Sequence, residues 1–384
     1  MKEKYDLLIV GNGFDLAHHL HTSYNDFYFV LKCAVQYSDW QQFNKMVCDN
    51  FEIDYSKRMG NRGLVVLAKS IRSNRDNFFV KYFVNYNKIF PTWNSFESEL
   101  KNILIAFDYL LDNLSHKTSH GRGLFEIRNI QEHGKYEIYM KNLIGEWNDI
   151  NFNADADYSK GWVNIRGINN FTIPVLDDWL IEYKNRVIDK LFSDFIEFTR
   201  YFSTFLNIFA EPESVSHATN IECKKIISFN YTSMAQRKYN LSDENTFYIH
   251  GRYFPVEYTE KLITDSIILG VDQTKFRNLK FTKFTKLDQR HKLKEEKKIY
   301  SFIDDSSSIC VYGLSLDLLD KTTLSMIFSK AQSITIFAFD SDAHTQIYQN
   351  LIEILPDRNI DEDIEKGLIS IRFCSEIPIM EFQN

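Results

Sequence analysis

Hydrophobic positions along this chain follow two different rhythms. At the start an unbroken apolar run, Leu7 to Val10, breaks into Gly11-Asn12-Gly13, and a helix-like pattern follows from Phe14. Such a run predicts a buried strand that enters a glycine turn at the start of a helix. From about residue 31 to 220 the strand signal almost disappears. Phe96, Leu100, Ile103, Leu104, Phe107, Leu110 and Leu111 recur at threes and fours and predict a helix over 94–114. Asn94 followed by Glu97 gives its start the spacing of a capping box. A second stripe, Leu180, Tyr183, Val187, Leu191, Phe195, Phe198, Phe202 and Phe205, predicts a long helix over 177–209 with an aromatic core face. Residues 117 to 170, rich in Gly, Asn and Asp, read as an irregular segment or a lid.

From about residue 225 the rhythm changes. Short apolar runs at Ile226-Ser228, Phe247-Ile249, Ile267-Leu269, Ile309-Tyr312, Ile334-Phe339 and Ile369-Phe373 alternate with helical stretches. That alternation predicts an open, mostly parallel sheet with helices on both faces. The first strand, at 5–10, must join this sheet, because a lone strand is not stable. The chain therefore reads as an α/β protein with a large helical insertion after its first β–α unit. Residues 1–30 and 225–384 form a split nucleotide-binding domain, and 31–224 a mainly helical insertion or lid domain.

Composition supports this reading and narrows the function. The 384 residues are 44% hydrophobic and 25% charged, with 32 Phe and 21 Tyr against 14 Gly and 6 Pro. That balance suits long packed helices better than a β-sandwich. A net charge of −7 implies no general affinity for nucleic acid or anionic membranes. The basic stretch around Lys283, Lys286, Arg290, Lys292, Lys294, Lys297 and Lys298 is interleaved with acids and reads as a solvated helix face. The five cysteines are far apart with no C-x-x-C pair, so no structural zinc ribbon is expected, nor any other metal. No leader peptide and no membrane span is expected, which points to a cytoplasmic protein with reduced thiols.

Ligands in open parallel sheets sit at the carboxyl ends of the strands, so those ends carry the candidate chemistry. They hold Gly11, Asn12, Gly13 and Asp15; Asn230, Tyr231 and Thr232; His250 and Gly251; Gly270 and Asp272; and Gly313, Ser315 and Asp317. The first loop points to a nucleotide-like anion, yet Leu16 stands where a dinucleotide fingerprint has its third glycine. His250 can act near neutral pH as a base or as an acceptor from a sugar hydroxyl. Asn230 can donate and accept at once and so place a water or a ribose hydroxyl. Asp15 reads as a brace of its own loop, and the Ser315 hydroxyl as a contact for phosphate or ribose. His18, His19 and His21 read as surface residues. No G-x-S-x-G or H-E-x-x-H occurs, so serine-hydrolase and zinc-protease chemistry have no local support.

These residues carry a resemblance. Gly-Asn-Gly-Phe-Asp-Leu-Ala-His at 11–18, with Thr22-Ser23-Tyr24-Asn25-Asp26-Phe27, resembles the opening motif of the AbiH family of bacteriophage abortive infection proteins. Trp93 to Leu100, Ser228 to Thr232, Ile249-His250-Gly251, Ile268 to Asp272, and Tyr312 to Leu316 with Asp320 follow in that family's order. A weaker likeness links the same stations to sirtuin-like NAD-binding domains, which implies a sirtuin-like Rossmannoid sheet. By that likeness Gly11 to Gly13 face a diphosphate, Asn230 and His250 the nicotinamide ribose, and Gly313 with Ser315 the adenosine end. The sirtuin turn's aspartate is Thr232 here and the zinc-ribbon cysteines are absent, so peptide deacetylation is not implied. What is implied is an anti-phage effector, a homo-oligomer with a phage-derived trigger or partner protein, that binds NAD or a related nucleotide and hydrolyses it at the nicotinamide N-glycosidic bond. In that reading His250 and Asn230 are catalytic, and Gly11, Asn12, Gly13, Asp15, Asp272, Gly313 and Ser315 bind the nucleotide. A non-catalytic nucleotide sensor and a nuclease-like toxin are the alternatives.

Overall fold

The computed structural model describes residues 3–51, 61–85, 93–119, 122–127, 154–157, 162–165, 172–174, 177–209, 221–252, 267–271, 276–286, 288–289, 296–303 and 307–376. The strands are β1 (Glu3–Val10), β2 (Leu114–Ser119), β3 (Arg122–Ile127), β4 (Ala154–Asp157), β5 (Trp162–Ile165), β6 (Thr172–Pro174), β7 (Ile221–Ser228), β8 (Thr246–Tyr248), β9 (Ser308–Tyr312), β10 (Ser333–Ala338) and β11 (Ile369–Phe373). The α-helices used below are α1 (Asn12–Ala17), α2 (Tyr24–Gln36), α3 (Trp40–Phe51), α4 (Asn61–Ser73), α5 (Phe78–Asn85), α6 (Trp93–Asn113), α7 (Asp177–Phe209), α8 (Met234–Lys238), α9 (Glu296–Ile303), α10 (Lys321–Phe328) and α11 (Ser341–Ile354).

A six-stranded sheet in the order β11-β10-β9-β1-β7-β8 organises the molecule, and every neighbouring pair in it is parallel. β1 lies in the middle, with Leu8 opposite both Ile226 of β7 and Cys310 of β9. Leu7, Leu8, Ile9 and Val10 are all fully buried, as a strand covered on both faces requires. The period of two divides them. Leu7 and Ile9 join a core with Leu324 and Ile327 of α10 and Ile347 and Leu351 of α11. Leu8 and Val10 join the opposite core with Phe14 of α1 and Met234 of α8. Counted by their place in the chain, the six strands lie in the order 3-2-1-4-5-6, the doubly wound arrangement whose crevice opens where the order reverses.

A larger aromatic core lies among α2 to α7. Tyr24 stacks on Phe96 with ring centroids 3.9 Å apart, and Phe27 meets Phe198, Phe202 and Phe205 at 5.2 to 5.5 Å. Of the stripe read from α7, Leu191, Phe195, Phe198, Phe202 and Phe205 are buried and Val187, half-buried, packs against the same core. Leu180 and Tyr183 lie outside the described side chains. α6 begins at Trp93, so Asn94 lies within the helix and not at its N-cap position.

One expected strand is absent from the sheet. Ile267 makes only an antiparallel bridge with Gly251, and the amide of Ile268 donates to the His250 carbonyl at 2.7 Å. Ile267, Leu269 and Val271 are buried against the helical core instead, together with Phe281 and Phe284. An apolar run reports burial, and here the helices provide it. The sixth member of the sheet is β11.

Candidate functional site

Two glycine loops meet at the carboxyl edge of the sheet. The amide of Gly11 donates to the Tyr312 carbonyl at 3.1 Å, and that of Gly13 to the Gly313 carbonyl at 2.9 Å. A Cβ on Gly313 would lie 2.2 Å from the Phe14 nitrogen, and its φ of +69° is strained for any other residue. The glycines thus serve close contact between the loops after β1 and β9. The Phe14 amide is likewise engaged, donating to the Gly11 carbonyl at 2.8 Å. With these three donors bound to protein carbonyls, the loop is a packed turn and not an open cradle of amides toward an anion.

Beside these loops lies a pocket of about 530 Å³. Its lining includes Asn12, Gly13 and Asp15 from the end of β1, Asn230 and Thr232 from β7, His250 from β8, and Gly313 and Ser315 from β9. The structure therefore brings together seven of the predicted site residues: Asn12, Gly13, Asp15, Asn230, His250, Gly313 and Ser315. Gly11 lies beneath them in the loop contact, and Asp272 lies outside the described residues. Leu16 and Phe339, both well exposed, stand at the pocket as apolar lining. Lysine and arginine are absent from the lining among the described residues.

Asp15 is nearly fully buried on α1. Its Oδ2 accepts from the Thr232 hydroxyl at 2.8 Å, while Oδ1 has no hydrogen-bond partner among the described residues. Burial pushes the carboxyl up to about 7; the Thr232 hydroxyl, the neighbouring Asn230 side chain and the charge of Arg237 offset only part of that. Asn230, also buried, donates its side-chain amide to the Gly11 carbonyl at 2.8 Å. Its own backbone amide is held by the Ser228 hydroxyl at 3.1 Å. These contacts tie the end of β7 to the β1 loop across 219 residues, which is the geometry of a brace.

His250 sits in a buried ionic cluster that sequence periodicity does not reveal. Asp320 Oδ1 lies 3.6 Å from His250 Nε2 and 3.6 Å from Lys286 Nζ, and Lys286 Nζ donates to Glu97 Oε2 at 2.8 Å. Lys286 is 0% exposed, which corrects its reading as part of a solvated face. Two carboxyl groups, one lysine and one imidazole thus share a single buried cluster. Phe229 and Tyr231 flank the imidazole with centroids at 5.6 and 6.0 Å. The only advance signal for Asp320 was its place in the family order, and for Lys286 there was none.

Two further expectations need correction. His18 is buried, not superficial: its Nδ1 donates to the Phe14 carbonyl at 2.7 Å and its ring packs on Phe14 at 4.4 Å. Lys283, also from the basic stretch, bonds Asp189 at 2.7 Å and lies over the Phe192 ring. Among the described residues no group of three or more His, Cys, Asp or Glu could hold a metal ion, and no helix is long and apolar enough to cross a membrane.

Comparison with known protein families gives a match over most of the chain. The sequence model of the family described as Bacteriophage abortive infection AbiH matches residues 7–340. No curated protein and no solved structure matches the chain.

Proposed function

Since the chain belongs to the AbiH family, which suggests a role in abortive infection by phage, we propose that it is a defence effector that hydrolyses NAD, or a related nucleotide, at the nicotinamide N-glycosidic bond. One observation carries this reading: side chains from the ends of β1, β7, β8 and β9 line a single pocket at the sheet edge. Its volume of about 530 Å³ lies within the usual range for small-molecule sites. Bond cleavage passes through an oxocarbenium-like ribose, which a nearby carboxylate stabilises. His250 holds a ribose hydroxyl, with Asp320 behind it orienting the ring. Asn230 keeps the β1 and β7 loops in register around the sugar, and Ser315 contacts the adenosine side. The helices that contribute Glu97 and Leu206 to the pocket lining, α6 and α7, hold the site inactive until infection triggers it.

The contacts of the glycine loop modify this picture. A diphosphate does not gain the Gly11, Gly13 and Phe14 amides, so binding rests on hydroxyl, amide and apolar contacts within the pocket. The same contacts favour, as the second reading, a nucleotide sensor, because Asn230 and His250 both already hold structural partners. The nuclease reading finds no free cation at Lys283 or Lys286, each paired with a carboxylate, while Arg290, Lys292, Lys294, Lys297 and Lys298 lie outside the described side chains.

The test is nicotinamide release from NAD by the purified protein, alone and in phage-infected lysate. Wild type should release it and His250→Ala should lower the rate about 10²- to 10⁴-fold while remaining folded. NAD recovered intact from a tight complex with wild type would replace hydrolysis with sensing.

A further inference from the structure

The reaction leaves one role unfilled. Water that attacks the ribose must lose a proton, and Asn230, whose amide donates to Gly11, cannot take it. We propose, resting on the glycosidase reading above, that Asp15 is the catalytic base that accepts this proton. Its position carries the proposal. The carboxyl lines the pocket, is 1% exposed, and is anchored through one oxygen by Thr232. The other oxygen, Oδ1, is buried with no partner among the described residues. An acceptor left unsatisfied in a buried place is costly, and a function that uses it accounts for its retention. Fixed through Oδ2, and with no protein donor on Oδ1 among the described residues, the group has the geometry of a base held at a set angle.

The step balances. The C1′–N bond breaks and its electron pair moves to the pyridine nitrogen, so nicotinamide leaves neutral. The water oxygen bonds C1′ while one of its protons passes to Asp15 Oδ1, and that proton later reaches solvent. Around Asp15 the charged and titratable groups are Arg237 on α8, Tyr248 of β8 and, lining the same pocket, His250, Asp320 and Glu97. A carboxyl raised to about 7 is well matched to base work at neutral pH.

The experiment measures nicotinamide release against pH for wild type, Asp15→Asn and Asp15→Ala, with NAD binding measured in parallel. Wild type should accelerate about tenfold per pH unit below 7 and level off above it. Asp15→Asn should bind NAD within a few-fold of wild type, turn over about 10²- to 10⁴-fold more slowly, and lose that limb of the profile. Formate should restore part of the rate to Asp15→Ala, a rescue that a purely structural role for Asp15 does not predict. Wild-type turnover by Asp15→Asn, or an unchanged pH limb, overturns the base and leaves the glycosidase standing. A wild type that binds NAD but never releases nicotinamide overturns both.

Discussion

Burial that raises the Asp15 carboxyl to about 7 also sets the sign of a stability effect. The unfolded chain ionises the group near its ordinary value of 3.8, so between the two values the native state holds a proton that the unfolded state has released. Stability therefore falls as pH rises from about 4 to about 7 and is flat above. Asp15→Asn keeps an acceptor for Thr232 and removes this dependence. Urea unfolding of the variant should show an advantage over wild type that grows across that window and reaches on the order of a few kcal/mol at pH 8. Gly313 and Gly367 offer a second comparison, since their φ values are +69° and +70°. A Cβ on Gly367 meets nothing within 4 Å, whereas one on Gly313 meets the Phe14 nitrogen at 2.2 Å. Gly367→Ala should cost about 1–2 kcal/mol from its backbone angle alone. Gly313→Ala should cost distinctly more, because two loops must part, and denaturation midpoints of the two variants measure the difference.

At the scale of elements, the link between α6 and the segment at 276–286 decides how the helices meet the sheet. Asp108 of α6 accepts from the amides of Arg277 and Asn278 at 2.6 and 2.9 Å, and Glu97 of the same helix holds Lys286. Lys286→Met should destabilise by about 3–5 kcal/mol in urea unfolding, because Glu97 and Asp320 lose their buried cation. Glu97→Gln combined with Lys286→Met should recover part of that loss, the pair being coupled. This link was illegible in the sequence for a physical reason. Ion pairs across 189 residues leave no periodic trace, so Lys286 looked like its solvated neighbours and Glu97 like a helix cap. What could be read was whatever repeats with the backbone: the buried run of β1, the helix over 177–209, and the polar tips of β7, β8 and β9. The run at 267–271 shows the limit, since an apolar pattern indicates burial without naming the partner. Asp15 shows another, since its place in the sequence does not say that one oxygen holds Thr232 while the other has no protein partner among the described residues.

For the molecule as a whole, the absence of lysine and arginine from the described pocket lining gives the proposed NAD binding a testable character. Raising the salt concentration should leave Kd for NAD within about threefold by titration calorimetry, since screening weakens ionic contacts chiefly. The central place of β1 has a consequence for how the protein is made. β1 is synthesised long before both its neighbours: β7 starts at Ile221 and β9 at Ser308. At bacterial elongation rates of about 5–20 residues per second, the middle strand waits roughly 15–60 s for its second partner to leave the ribosome. The aromatic helices, whose sequence lies between, can fold in the meantime. A nascent chain therefore carries Asp15 and the first glycine loop with nothing to complete them, and a product interrupted before α11 lacks part of the pocket lining. Whatever the pocket does, it cannot do before the residues that line it from the end of β9, from β10 and from α11 have been made.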